Sequence, residues 1–338
     1  MHKVYIILVN YNNHRDTIEC LQSILHCDYA NYNIILIDNS KDDTPSQEII
    51  NWCNNGVDNI ETLFPELVYP IIEKPVSYQF YTESDFSTLT TEIDEKLLIV
   101  RAENRGFAAA NNIALRYVQK FASDLAFVWV LNNDTVIEKS ALKHLVAFYE
   151  QHDLNYMIGC KLRFYNSRDK LQAIAGSYNK WIGAHTHIGE GEIDNGQYDD
   201  FKFTADNYIV GASMFLPRLF LNRVGLMSED YFLYYEELDW TITAQKAGFN
   251  FAVQPLAIVY HKEGASITNS QQNKDTSVAE YYSITNRVRF INKFYKWCLP
   301  TVLLGVIFAL LKRLLKGKFK LVNKSFKTIV QILTSPNH

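Results

Sequence analysis

An α/β protein with a mostly parallel central sheet flanked by helices is the architecture expected of this chain. Short β-branched runs recur without alternation, which is how strands buried on both faces read. Segments with apolar residues at helical spacing lie between them. Polar clusters then stand at the end of one strand after another, where an open α/β sheet binds its ligands.

Residues 4–9, VYIILV, form the first such run. Ile18, Leu21, Ile24 and Leu25 follow at helical spacing, and 33–37, NIILI, make a second buried strand. This β-α-β order predicts a parallel pair with a right-handed crossover. From 51 to 95 the pattern decays into polar residues and prolines with no sustained period, and the stretch reads as an insertion. KLLIV (96–100) resumes the sheet, and a glycine turn leads into a helix over 107–121. The run DLAFVWVL (124–131) is the next strand, and Ser140 is placed to cap the helix that follows.

The second half is less regular. MIGCKLRFYN (157–166) reads as a strand, and 173–196 as a loop with short strands. Strand, turn and helix follow over 206–225, then a helix entered by the aromatic run DYFLYY, then a strand over 250–261 ending at His261.

Composition narrows the function. The chain has 338 residues, 48% hydrophobic and 21% charged, as in globular proteins, and its net charge of −4 argues against a nucleic-acid binder. Five scattered cysteines without a CxxC pair fit a reducing compartment. The first apolar run is one strand long, shorter than a secretory core. No dinucleotide glycine fingerprint and no Walker loop follows the first strand. The lack of glycine in NYNNHRDT also argues against a nucleotidyltransferase.

The strand ends carry the candidate chemistry: VNYNN, DNS, ENRGF and NNDT. Asp38 can accept from a base N–H or a ribose hydroxyl, and Tyr11 can stack on a base. Asp134 is the best metal candidate, since Mg²⁺ and Mn²⁺ take oxygen ligands and leave positions for substrate phosphates. His261 is a possible second ligand. Glu236, Glu237 and Asp239 crowd within YYEELDW, and like charges raise the pKa of at least one of them toward a usable base.

Seven stretches together resemble the family 2 glycosyltransferases of GT-A fold: VYIILVNYNN, IILIDNSKDDT, NRGFAAANN, VLNNDT, YIVGASMFLPR, GLMSEDYFLYYEELDW and VYHKEGAS. The nearest likeness is to rhamnosyltransferase-like members of bacterial polysaccharide synthesis. The resemblance implies a nucleotide-sugar half over 1–150 and an acceptor half over 151–295. It implies that Val9, Asn10, Tyr11 and Asp38 hold the nucleotide, and that Asn104, Arg105, Gly106, Asn111 and Asn133 line the diphosphate-sugar pocket. Asp134 then binds a divalent metal (Mg²⁺ or Mn²⁺), completed by His261. Asn132 replaces the first aspartate of the usual DxD motif. Glu237 falls at the catalytic base, with Glu236 as its rival and Asp239 as a structural or acceptor-orienting partner.

The implied reaction is inverting transfer from a nucleotide-diphosphate sugar to a saccharide or polyprenyl-diphosphate-linked acceptor. dTDP-L-rhamnose is the first expected donor, followed by UDP-galactofuranose, UDP-glucose and UDP-GlcNAc. A catalytically silent sugar-binding scaffold is the competing class.

Residues 296–338 have a different character. The fifteen residues 297–311 carry no charge, short of the ~20 that span a bilayer. Lys312, Arg313, Lys316, Lys318, Lys320, Lys324 and Lys327 follow. An apolar segment beside a basic cluster suits peripheral attachment to the cytoplasmic face of the inner membrane.

Overall fold

The computed structural model describes residues 1–57, 59–262 and 277–335. The chain opens as β1 (Val4–Asn10), α1 (His14–Leu25), β2 (Tyr32–Asp38) and α2 (Thr44–Asn55). It continues as α3 (Pro65–Val68), β3 (Tyr78–Thr82), α4 (Glu83–Thr88), β4 (Leu97–Arg101), α5 (Phe107–Phe121) and β5 (Phe127–Leu131). Then come β6 (Thr135–Ile137), α6 (Ala141–Gln151), β7 (Tyr156–Phe164), β8 (Ser167–Ala173), β9 (Gly176–Asn179) and β10 (Ala184–His187). The last part holds β11 (Asn207–Tyr208), β12 (Ser213–Pro217), α7 (Leu219–Arg223), α8 (Glu236–Lys246) and β13 (Asn250–His261). Three further helices are α9 (Ser277–Phe294), α10 (Leu299–Leu315) and α11 (Phe319–Thr334).

The main sheet runs β3-β4-β2-β1-β5-β12-β7-β13-β6, with β8 on β7. From β3 to β5 all pairs are parallel. Every residue of β2 and β5 is buried, which explains their unbroken apolar runs. Helices α1, α2, α3 and α6 pack one face around Leu8, Trp52, Trp129 and Phe215. Helices α5, α7 and α8 cover the other around Ile7, Val130, Phe220 and Trp240. Strand order reverses at β1, with β2 on one side and β5 on the other, and such a switch point opens a crevice beyond the carboxyl ends of the strands.

The stretch 51–95 is more than an insertion. It carries the end of α2, then α3, β3 and α4, and β3 joins the sheet as an edge strand parallel to β4. None of β3 is fully buried, so the apolar signal is weak, and α4 is only 6 residues long. Ser140 does stand at the N-cap of α6, but its side chain makes no capping bond.

A smaller sheet, β10-β9-β11, leans on α8 and α9 through Tyr178, Tyr208, Tyr235 and Phe290. Helix α10 buries Val302, Val306 and Leu310 against the same cluster. With the short turn before it, this helix gives 20 residues, 296–315, long and apolar enough to cross a membrane. That corrects the expectation of a segment too short to span.

Candidate active site

Asn10 and Asp38 end adjacent parallel strands, in register with each other. Both are fully buried. Asp38 accepts from Asn10 Nδ2 at 2.9 Å, from Ser40 N at 3.2 Å, and from the Ser40 and Ser46 hydroxyls. Asn10 Oδ1 accepts from Asn13 N at 3.2 Å, Thr17 Oγ1 at 3.0 Å and Asn133 Nδ2 at 3.3 Å. Asn133 also donates to Thr17 Oγ1 at 2.8 Å. These amides and carboxylates therefore tie β1, β2, α1 and the end of β5 into one satisfied network. Val9 sits just before it, partly buried against the sheet core.

Above this floor lies an open cleft of about 800 Å³. Tyr11, Ser40, Arg101 and Asn104 line one part of it, and Thr82, Glu83, Ser84 and Ser87 from β3 and α4 line another. Asn104 Oδ1 accepts from Gly106 N at 3.1 Å and from Asn39 Nδ2 at 3.4 Å. Arg105 is ion-paired with Glu83. The wall built by Glu83 was invisible in the sequence, because a six-residue helix has no period to read.

Gly106 has φ +101°, and a Cβ there would come 2.4 Å from Phe232 O. Glycine is required by both conformation and space. Phe107 N donates to the same carbonyl at 3.2 Å, so the start of α5 is fastened to the loop before α8. Asn111 donates to Phe107 O at 3.0 Å, while its buried Oδ1 has no hydrogen-bond partner among the described residues.

The metal candidates meet directly. His261 Nε2 is 3.1 Å from Asp134 Oδ1, and Asn132 Nδ2 is 3.3 Å from the same nitrogen. Burial would push the Asp134 carboxyl up, but His261 beside it and Lys262 beyond hold it below the ordinary value. Gln172 Oε1 lies 2.8 Å from His261 Nδ1 and, as an acceptor, puts a proton there. Nε2 faces the Asp134 carboxylate oxygen and the Asn132 amide: protonated, it pairs with Asp134, and deprotonated it would offer Asp134 and itself to a cation. The donor set fits a divalent ion. Among the described residues no group of three His, Cys, Asp or Glu side chains converges on a metal position. The protein thus offers this pair, and phosphates and water would complete the shell. The rest of the His261 motif, 263–266, lies outside the described residues.

Helix α8 begins in strained backbone. Tyr234 and Tyr235 have φ of 66° and 76°, a rare conformation for bulky residues. Glu236 is buried and Glu237 half-buried, and each has one oxygen, Oε2, without a hydrogen bond among the described residues. Burial, then the charge of Glu237, pushes the Glu236 carboxyl well up, and burial raises Glu237 too. The Glu237 side chain lies on Gly211, where a Cβ would come 3.3 Å from its own Cβ. The next residue, Ala212, accepts from Asn132 N at 3.0 Å. Glu237 thus lies against the loop that is bonded to Asn132, two residues before Asp134. Asp239 turns to α9 instead, 2.6 Å from Lys293 Nζ.

The model for "Glycosyltransferase like family 2" matches residues 81–278, more than half of the chain. The protein belongs to this family, and transfer of a glycosyl group is its reaction class. The match takes in Asn104, Asn133, Asp134, Glu237 and His261, and begins after Asn10 and Asp38. No curated protein matches. Among solved structures, S. aureus TarS is 14% identical, with a TM-score of 0.46 over 86% of this chain and 42% of its own. This chain thus spans less than half of that protein. TarS 1-349 in complex with UDP-GlcNAc is 13% identical, with a TM-score of 0.48 over 98% of this chain and 81% of its own. A mannosyltransferase from Pyrobaculum calidifontis, in complex with GDP-Man and Mn²⁺, is 16% identical, with a TM-score of 0.46 over 99% and 88%.

Proposed function

We propose that this protein is an inverting, divalent-metal-dependent glycosyltransferase acting on a saccharide or polyprenyl-diphosphate-linked acceptor at the cytoplasmic face of the inner membrane. One observation carries the reading: Glu237, a carboxylate with a raised pKa, rests on the loop that also holds Asn132, two residues from Asp134. A base and a leaving-group site share one edge, which is what a single displacement needs.

In this reading the nucleotide lies in the cleft between Tyr11 and Asn104, with Arg101 and Arg105 near its phosphates. Asn10, Asp38 and Asn133 shape the floor without touching the ligand. Asp134 and His261 would hold the metal, which when bound offsets the charge of the leaving diphosphate. Glu237 takes the proton from the acceptor hydroxyl as that oxygen attacks the anomeric carbon. Burial keeps Glu237 basic enough to do so. Glu236 lies deeper, and the charge of Glu237 helps keep it protonated.

The division into 1–295 and 296–338 is part of the proposal. The tail contains no acidic residue between 296 and 338. On α10 the exposed Leu304, Ile307, Phe308, Leu311 and Leu315 form one helical stripe, and Phe319, Phe326, Val330 and Leu333 form another on α11. Because α10 also buries a face on α9, the tail is read as lying on the bilayer rather than crossing it. Arg313, near the end of α10, pairs with Glu280 near the start of α9 at 2.9 Å and holds the two antiparallel.

A transfer assay with a panel of nucleotide-diphosphate sugars tests this, with and without Mn²⁺. dTDP-L-rhamnose is expected to be consumed with inversion. Turnover of another donor in the panel moves the specificity, and no metal-dependent turnover of any donor removes the proposal.

A further inference from the structure

The tail is not the only apolar surface at its end of the molecule. The turn between β9 and β10 carries Trp181 and Ile182, 53% and 56% exposed. Trp181 O accepts from Thr301 Oγ1 at 2.6 Å, in the first turn of α10. A Cβ on Gly183 would stand 3.3 Å from Val302 Cγ1. Trp297, 63% exposed, immediately precedes α10 and packs edge-on to Tyr295 at 5.5 Å. Lys180 Nζ lies 5.8 Å from the Tyr295 ring. Two exposed tryptophans from distant parts of the sequence therefore stand together at one end of an apolar helix. Tryptophan favours the headgroup level of a bilayer. Lys296, Lys312, Lys316, Lys320 and Lys327 add exposed positive charge along the same tail.

We propose that the Trp181–Ile182 turn is a second bilayer-inserting element that works with the tail on an anionic lipid surface. This rests on the peripheral-membrane reading of the tail. The turn is tied to the base as well: Tyr235 Oη donates to Gly183 O at 3.0 Å, and Tyr235 is the residue before Glu236. From the other side, Asn286 of α9 donates to Leu233 O at 2.8 Å and Tyr234 O at 3.2 Å. The strained start of α8 is thus gripped by the turn and by the helix that carries the tail. Two separated contacts fix how the molecule sits on a bilayer, where one helix alone leaves it free to roll. They set the height of Glu237 above the lipid headgroups.

The tryptophans supply the probe. Trp52, Trp129 and Trp240 are 0%, 0% and 1% exposed, so quenching by brominated lipids reports Trp181 and Trp297 alone. The full chain is mixed with vesicles of phosphatidylcholine and brominated phosphatidylglycerol. The Trp297→Phe variant is expected to stay quenched through Trp181, and the Trp181→Phe,Trp297→Phe double variant to lose quenching. Trp181→Ser with Ile182→Ser should weaken vesicle binding by about tenfold or more, from the lost apolar burial. Vesicles of phosphatidylcholine alone should bind less.

Absence of quenching in vesicle-bound Trp297→Phe overturns the proposal. So does a dimer, seen by light scattering, that hides the turn and does not bind vesicles. No readout uses glycosyl transfer, so failure of the donor assay leaves this result standing, and the reverse holds too.

Discussion

At the ends of β1 and β2, Asn10 and Asp38 have their polar groups engaged from within the protein, whereas the first two residues of α8 bury carboxylates with an oxygen each left over. The first arrangement is inexpensive to fold and chemically quiet. The second costs folding free energy, through desolvated charge and backbone with positive φ. A protein that tolerates such a cost at one place marks that place for chemistry. On the proposed function, the comparison sets residues that shape the nucleotide half against the residues proposed to react.

Substitutions on the two sides should therefore fail differently. A large effect is expected at the junction between them. Asp134→Ala should lower transfer by about 10²–10³-fold, the cost of losing one preorganised charge-stabilising group. It should also abolish the Mn²⁺-dependent thermal shift expected with a nucleoside diphosphate. A variant that keeps that shift would take Asp134 out of the metal site.

Asn10→Ala should act on stability. It removes one bond each from Asp38, Asn133 and Thr17, which keep other partners, and takes the acceptor from Asn13 N, so a loss of about 1–3 kcal/mol is expected from urea unfolding. A loss below about 1 kcal/mol would mean that the network is replaceable. Gly106→Ala forces a side chain into a left-handed position against Phe232 O, and about 2 kcal/mol is expected. Its KM for donor should rise with it, because the α5 start also fixes Asn104.

Glu236→Gln sharpens the comparison with the opposite sign. A carboxyl whose pKa is raised by folding stabilises while protonated, and that contribution is lost as pH rises through the raised value. The variant should match the parent near pH 4 and melt higher at pH 8. A rise of ~2–4 °C corresponds to about 1 kcal/mol in a domain of this size. Because burial, not the charge of Glu236, raises Glu237, the acid limb of the pH–rate profile should stay in place. A shifted limb would couple Glu236 to the titration of the base.

Much of this was legible in the residues. Strands β1, β2, β4 and β5 announce themselves because both faces are buried. Their polar ends mark the ligand edge because nothing in a strand core needs Asn or Asp. Which of those residues face the ligand was not legible. Asp38 and Asn133, expected to contact the donor, also bond to Ser46 and Thr17, partners that the sequence does not announce. Such pairings depend on register between distant segments. The same is true of Gln172, which sets the His261 tautomer from 89 positions away. Strand β3 was missed because an edge strand buries too little to show a pattern. The left-handed Tyr235 runs against local preference, and only the packing of the β9–β10 turn and α9 around it explains how it persists.

The most direct test compares Glu237→Gln with the parent protein for donor binding and transfer rate in the same preparation. Transfer should fall by about 10²–10⁴-fold, the usual worth of a general base, while the affinity for the nucleotide-diphosphate sugar with Mn²⁺ stays within about twofold, under 1 kcal/mol. Near-normal transfer by Glu237→Gln, or donor affinity lost in step with the rate, would contradict a base held apart from the nucleotide half.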